Sequence, residues 1–352
     1  MDKISNELFN VIQRKGDNFM FSPHSIRSAL YMVKEGAVDE TLAELTQFIG
    51  DVIETVNVPT FDSVNAVFHK IDVNTVWRKK IKHDVDADTY HITSNVIPVS
   101  IVNEWVNVKT KGKIPKMLEQ GQVDKDILMI LANAVYFKDK WAHEFETENT
   151  KPLPFYLSDG TTIEADTMYQ FASDNDLIGY VETKTHKAIK LPYKDPSLEM
   201  IVILPLDKLT GTITTEDVDK VLSSNFSIFT DVRIWLPKFE TRWGGSIKQY
   251  LIDMGITRSF SDLAQFYGMV TRPQDFVKID DIIHKSFIKV DEEGTEAVAA
   301  TVITARCLAA SANFTPPKIF KANRQFTYVI REKQYHKPST VLFVGSIFNP
   351  ND

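Results

Sequence analysis

Apolar residues recur at helical spacing from Lys3 to Lys15, where Ile4, Leu8, Phe9 and Ile12 share one face, so the pattern predicts an amphipathic helix packed on the body. A second helix is predicted from Ser22 to Val33, with Ser22 as N-cap and Pro23 at the first helical position, where its missing N–H costs nothing. A third is predicted over Val38 to Ile53 on a stripe of Leu42, Leu45, Phe48 and Ile49. A fourth lies between Val99 and Leu118, built on Ile101, Trp105 and Val106 and followed by a turn at Gly112. Strand patterns occupy much of the remainder: Ser63 to His69, Leu177 to Pro192, Leu198 to Pro205 and Val232 to Phe239. The run Ile127 to Phe137 is apolar almost throughout, the pattern of a central strand buried on both faces. Ser246 to Met254 is predicted to be a helix ending near Gly255.

One stretch does not fit either period. Asp291-Glu-Glu-Gly-Thr-Glu-Ala-Val-Ala-Ala-Thr-Val-Ile-Thr-Ala305 begins as an acidic turn, then loses all charge after Glu296 and gathers small and β-branched residues. The segment Arg306 to Pro317 that follows has loop composition. A segment acceptable both as solvated loop and as sheet strand is a candidate switch.

The stretch from Glu292 to Thr301 resembles the hinge that introduces the reactive-centre loop of the serpins. Similar motifs follow one another in that family's order: Asn18-Phe-Met-Phe-Ser-Pro-His-Ser-Ile26, Asn103-Glu-Trp105, Thr110-Lys-Gly-Lys-Ile114, Leu131-Ala-Asn-Ala-Val-Tyr-Phe-Lys138 with Trp141, Leu191-Pro-Tyr193, Leu236-Pro-Lys-Phe239, His284-Lys285, and Leu342-Phe-Val-Gly345 with Pro350. The resemblance implies an α+β fold, with a large central sheet, two smaller sheets, about eight helices and an exposed reactive-centre loop over about residues 292–317. It also implies a shutter of Ser22, Ser25, Asn133 and His284 under the central sheet, and a breach at Trp141, where the loop begins to enter. Hydroxyl, amide and imidazole groups can exchange hydrogen-bond partners, so such a cluster can hold a sheet closed or admit a new strand. The helix containing Trp105 would lie across the large sheet and yield on insertion.

Composition narrows the function further. The chain has 352 residues, 43% hydrophobic and 25% charged, with no linker or repeat, so a single domain over residues 1–352 is expected. A formal charge of −7 argues against nucleic acid or an anionic membrane as partner. The one basic run, Arg78-Lys-Lys-Ile-Lys82, reads as a solvated surface segment, and the shortness of this region against many serpins argues against heparin. The single Cys307 precludes an internal disulfide and fits a reducing compartment. No apolar run approaches the roughly eighteen residues of a transmembrane helix, and the polar N-terminus lacks the pattern of a secretory signal. A cytoplasmic protein, or one exported by an unconventional route, is therefore expected, which makes the sequons at Asn225 and Asn313 accidental. No nucleophile elbow, zinc motif, paired Cys-x-x-Cys or phosphate loop is present, and His143-Glu-Phe-Glu146 lacks metal-ligand spacing, so neither catalysis nor a cofactor is expected.

The resemblance implies instead a suicide inhibitor: a protease cuts the loop, is held as an acyl-enzyme, and is carried away as the hinge inserts into the sheet. Side chains alternate across a strand, so Thr295, Ala297, Ala299 and Thr301 would face the core on insertion, and none is charged. About ten new backbone hydrogen bonds at about 1 kcal/mol net each would favour the inserted form by about 10 kcal/mol. Counting from Glu292 by the family's usual span places the cleaved bond at Leu308–Ala309, suited to chymotrypsin-like, cathepsin G-like or elastase-like proteases. Counting back from the next strand points nearer Phe314, and Arg306 would attract trypsin-like or papain-like enzymes. The alternative is a non-inhibitory serpin with a binding, storage or chaperone role. A monomer is expected, with loop-sheet polymers as its hazard.

Overall fold

The computed structural model describes residues 1–352 apart from 14–15, 54–55, 57, 173–177, 208–212, 230, 273–275, 296–315 and 335–337. Seven α-helices occur among the described residues: α1 (Lys3–Gln13), α2 (Pro23–Lys34), α3 (Asp39–Ile49), α4 (Thr75–Val85), α5 (Val99–Lys109), α6 (Thr215–Ser223) and α7 (Lys248–Asp253). The described strands form three sheets.

The sheet that carries the site is built on β4 (Met129–Phe137), every residue of which is buried. On one side β4 pairs antiparallel with β2 (Phe61–His69), which pairs in turn with β3 (Ala87–His91). On the other it pairs parallel with β14 (Asp281–Val290), from Asp281↔Ile130 to Phe287↔Tyr136, and β13 (Phe239–Ser246) lies along the far side of β14. Above that pairing, the short strands β5 (Asp139–Lys140) and β15 (Gly294–Thr295) complete the sheet. The period-2 alternation of β4 separates two cores. Ile130, Ala132, Ala134 and Tyr136 pack with Val99, Val102, Trp105 and Val106 of α5. Met129 and Leu131 instead join the core containing α1, α2 and α3.

A second sheet runs β1 (Phe19–Phe21), β18 (Thr340–Ile347), β17 (Phe326–Glu332), β10 (Leu198–Pro205), β9 (His186–Pro192), β8 (Ile178–Glu182), β11 (Ser227–Phe229). A third runs β16 (Lys318–Lys321), β12 (Val232–Pro237), β7 (Thr162–Ala172), β6 (Lys151–Tyr156). Together they enclose a core reaching from Phe155 and Leu236 to Tyr193 and Ile347.

Several expectations shift in detail. Helix α3 stops at Ile49, because Gly50 takes φ 73° and closes the helix with its N–H on Thr46 O. Its buried face is Thr41, Leu45 and Ile49, and Leu42 points outward at 36% exposure. Ile101 of α5 is likewise exposed, and Val99 and Val102 take the core positions beside Trp105 and Val106. The run Leu177 to Pro192 is two strands, β8 and β9. The basic run Arg78–Lys82 lies on the solvated face of α4, which buries only Trp77 and Ile81. Lys80 there faces Asp84 and Glu35, and Lys82 faces Asp86 and Asp88.

Candidate functional site

The acidic stretch enters the large sheet at its top. Asp291 N–H donates to Gly294 O at 3.0 Å, a tight turn that reverses the chain out of β14. Gly294 then takes φ 157°, and a Cβ built on it would lie 2.3 Å from Asp139 O, so glycine alone allows this close approach to β5. From there Gly294 pairs with Lys140, and Thr295 pairs with both Asp139 and Val290. Thr295 is fully buried, and its Oγ1 lies 2.8 Å from the hydroxyl of Tyr193. The other inward positions, Ala297, Ala299 and Thr301, lie outside the described residues. So do both residues of the expected cleaved bond, Leu308 and Ala309, together with Arg306, Cys307 and Phe314.

Trp141 holds the underside of this turn. Its Nε1 donates to Asp291 O at 2.9 Å, its backbone N–H donates to Glu293 O at 2.9 Å, and its ring stacks on Tyr193 with centroids 4.7 Å apart. Glu292, 6% exposed, accepts from Thr150 Oγ1 at 2.7 Å and pairs with Lys238 Nζ at 2.9 Å. Burial pushes the Glu292 carboxyl up, but Thr150 and Lys238 outweigh it and hold it below the ordinary value. Asp291 shifts the other way: burial raises its pKa, and Lys289 at 3.7 Å offsets only part. Glu293 pairs with Lys140 at 3.0 Å.

Lower in the sheet, the register sets a polar row across three strands: Asn65 of β2 stands opposite Asn133 of β4, which stands opposite His284 of β14. Asn133 Nδ2 donates to Asn65 Oδ1 at 2.7 Å and to Ser25 Oγ at 2.7 Å. His284 Nδ1 lies 2.5 Å from Asn133 Oδ1, which can only accept, so this imidazole nitrogen carries the proton. Ser25 Oγ reaches Ser63 Oγ at 2.8 Å, and Ser22 caps α2 by accepting the Ser25 N–H at 3.1 Å. His284 has no exposed surface, and burial drives its pKa from 6.5 to about 3, leaving it neutral. The structure thus brings Ser22, Ser25, Asn133 and His284 together and adds Asn65 and Ser63. A polar residue inside the apolar run from Val64 to Phe68 was the available signal for Asn65. Tyr193 and Lys238 stand in two of the family-like motifs, Leu191-Pro-Tyr193 and Leu236-Pro-Lys-Phe239, but nothing in the sequence names their partners, and Thr150 carries no mark of its own.

Chemically, the row bridges the pairing that a new strand would have to open. Placing one strand between β4 and β14 would separate them by about 4.8 Å more, breaking the His284–Asn133 bond. Among the described residues no group of three or more potential metal ligands occurs, and no helix is long and apolar enough to cross a membrane.

Comparison with known proteins spans nearly the whole chain. A family model described as serpin (serine protease inhibitor) matches residues 1–350. Leukocyte elastase inhibitor A of Mus musculus is 32% identical over 379 residues, covering 98% of this chain and 97% of that protein. Antithrombin-III of Mus musculus is 31% identical over 373 residues, covering 95% and 77%. Among solved structures, native protease nexin-1 with heparin superposes with TM-score 0.81 at 26% identity, over 99% of this chain and 97% of the other. Serpin48 of Tenebrio molitor superposes with TM-score 0.83 at 24% identity, over 98% and 96%.

Proposed function

The chain belongs to the serpin family, whose members are described as serine protease inhibitors rather than enzymes, and from that premise we propose that it acts as a single-use trap for a protease. One domain over residues 1–352 carries the activity. A protease with an apolar specificity pocket, of chymotrypsin, cathepsin G or elastase type, cuts Leu308–Ala309 and is held as an acyl-enzyme. The hinge through Ala297, Ala299 and Thr301 then enters the sheet between β4 and β14, with Trp141 at the point of entry. Ser22, Ser25, Asn133 and His284 act as the shutter, exchanging partners as the strands part.

The observation that carries this reading is the position of Thr295: the first inward residue of the hinge already occupies a buried strand register at the mouth of the sheet. Everything beyond it in the inward set is small and uncharged, so the same register can be extended without burying a charge. Below the mouth, β4 and β14 remain paired, which leaves the insertion energy unspent. A single cysteine supports action in a reducing compartment. The lysines Lys80 and Lys82 are matched to carboxylates, which supports a mechanism without a polyanion cofactor.

The test is incubation with chymotrypsin, cathepsin G, elastase and trypsin, followed by denaturing gels and mass measurement of the released C-terminal peptide. A complex that survives denaturation, with a peptide beginning at Ala309, is the expected result. A peptide beginning at Cys307 or Thr315 would reassign the bond to Arg306 or Phe314 and change the protease class. Cleavage by all four enzymes without any complex would replace this reading with a non-inhibitory serpin.

A further inference from the structure

The pairing of two hydroxyls at the mouth of the sheet has a use beyond packing. Tyr193 is fully buried and held on two sides, stacked on Trp141 at 4.7 Å and met edge-on by Phe137 at 5.0 Å. Its backbone is also fixed, through a bridge to Trp141 and an N–H that donates to Leu198 O at 3.2 Å. The phenol oxygen is therefore a stationary point in the core, and Thr295 Oγ1 lies 2.8 Å from it.

We propose that Tyr193 is a positioning residue whose hydroxyl latches Thr295 into the sheet before any cleavage, so that insertion begins from a hinge already in register. If Thr295 left its slot, the Tyr193 hydroxyl would stay behind, buried and unpaired, which biases the hinge inward. The same contact persists once the rest of the hinge follows. The latch therefore leaves the driving force of insertion unchanged and raises the fraction of molecules in register when the loop is cut. In the inhibitory reading, on which this consequence rests, insertion races hydrolysis of the acyl-enzyme. A hinge out of register loses that race more often, and each such loss consumes an inhibitor without trapping a protease.

Hydrogen exchange of the full-length protein, followed by mass spectrometry over residues 288–295 and 139–145, tests the latch directly. Tyr193→Phe and Thr295→Val should each speed exchange of the Thr295, Trp141 and Phe145 amides about fivefold, the loss of one neutral hydrogen bond. The double variant should exchange no faster than either single one, and Thr295→Ser, which keeps the hydroxyl, should retain wild-type protection. Unchanged exchange in either single variant, or effects that multiply in the double, would overturn the proposal. The second readout is the number of inhibitor molecules consumed per protease trapped, with whichever of the four proteases forms the complex. It should rise severalfold in Tyr193→Phe and Thr295→Val at an unchanged association rate; faster exchange with unchanged consumption would overturn the role in positioning. If the wild-type protein forms no complex with any of the four, the inhibitor reading fails, and exchange alone decides the latch.

Discussion

Lowering the pH should loosen the sheet, in part at His284. His284 is neutral in the native protein, its pKa driven to about 3 by burial, whereas the unfolded chain takes up a proton near 6.5. Between those values the unfolded state binds more protons, so stability falls as pH falls. From pH 7 to pH 5 the difference integrates to about 2 kcal/mol for His284. His24, whose pKa burial and Arg27 lower to about 4, adds about 2 kcal/mol of the same sign. The raised carboxyls of Asp139, Asp281 and Asp291 act in the opposite sense, binding protons more readily when folded, and are common to wild type and variant. The informative quantity is therefore a difference. In His284→Gln, which keeps an amide able to face Asn133, the loss of stability between pH 7 and pH 5 should be smaller than in wild type by about 2 kcal/mol. Urea midpoints for loss of native structure, taken by intrinsic fluorescence at both pH values, measure it. An identical pH dependence in the two proteins would refute the assignment of that proton to His284.

Replacing Glu292 with Lys removes the partner of Lys238 and sets two like charges at a nearly buried position. A loss of about 2 kcal/mol is expected, with faster polymerisation on warming, read by native gels after timed incubation. Asn133→Ala strips Ser25, Asn65 and His284 of a shared partner and should cost about 3 kcal/mol, visible as a lower urea midpoint. Thr295→Arg would place a charge at a fully buried hinge position, so cleavage by the target protease should continue while the denaturant-resistant complex is lost. Persistence of that complex would show that the hinge does not enter on the register described.

Local patterns in the chain were enough for a large part of this molecule. The stripe of Ile4, Leu8, Phe9 and Ile12, the cap at Ser22 and the doubly buried strand through Asn133 follow from spacing that any short segment enforces on itself, and all three stand in the structure. The burial of Thr295 agrees with its place as the first inward position of a period-two reading, and the later positions of that reading lie outside the described residues. The phase of a helix stripe is less secure. Leu42 and Ile101 are as apolar as their buried neighbours, and only the elements packed on α3 and α5 choose which face is covered.

What the tertiary structure decided is where distant polar groups meet. Glu292 finds Thr150 and Lys238, Asn133 finds Asn65 and Ser25, and Thr295 finds Tyr193, each between elements distant in the chain. A slip of one residue in the ladder that sets Asn65 opposite Asn133 would turn these side chains to the opposite face and dissolve the contact. Sequence by itself supplied the uncharged alternate positions that begin at Thr295, because alternation is local, and the family resemblance implied the polar set Ser22, Ser25, Asn133 and His284. Only the fold determined that they are joined, because hydrogen bonds between groups more than a hundred positions apart depend on how the sheets assemble around them.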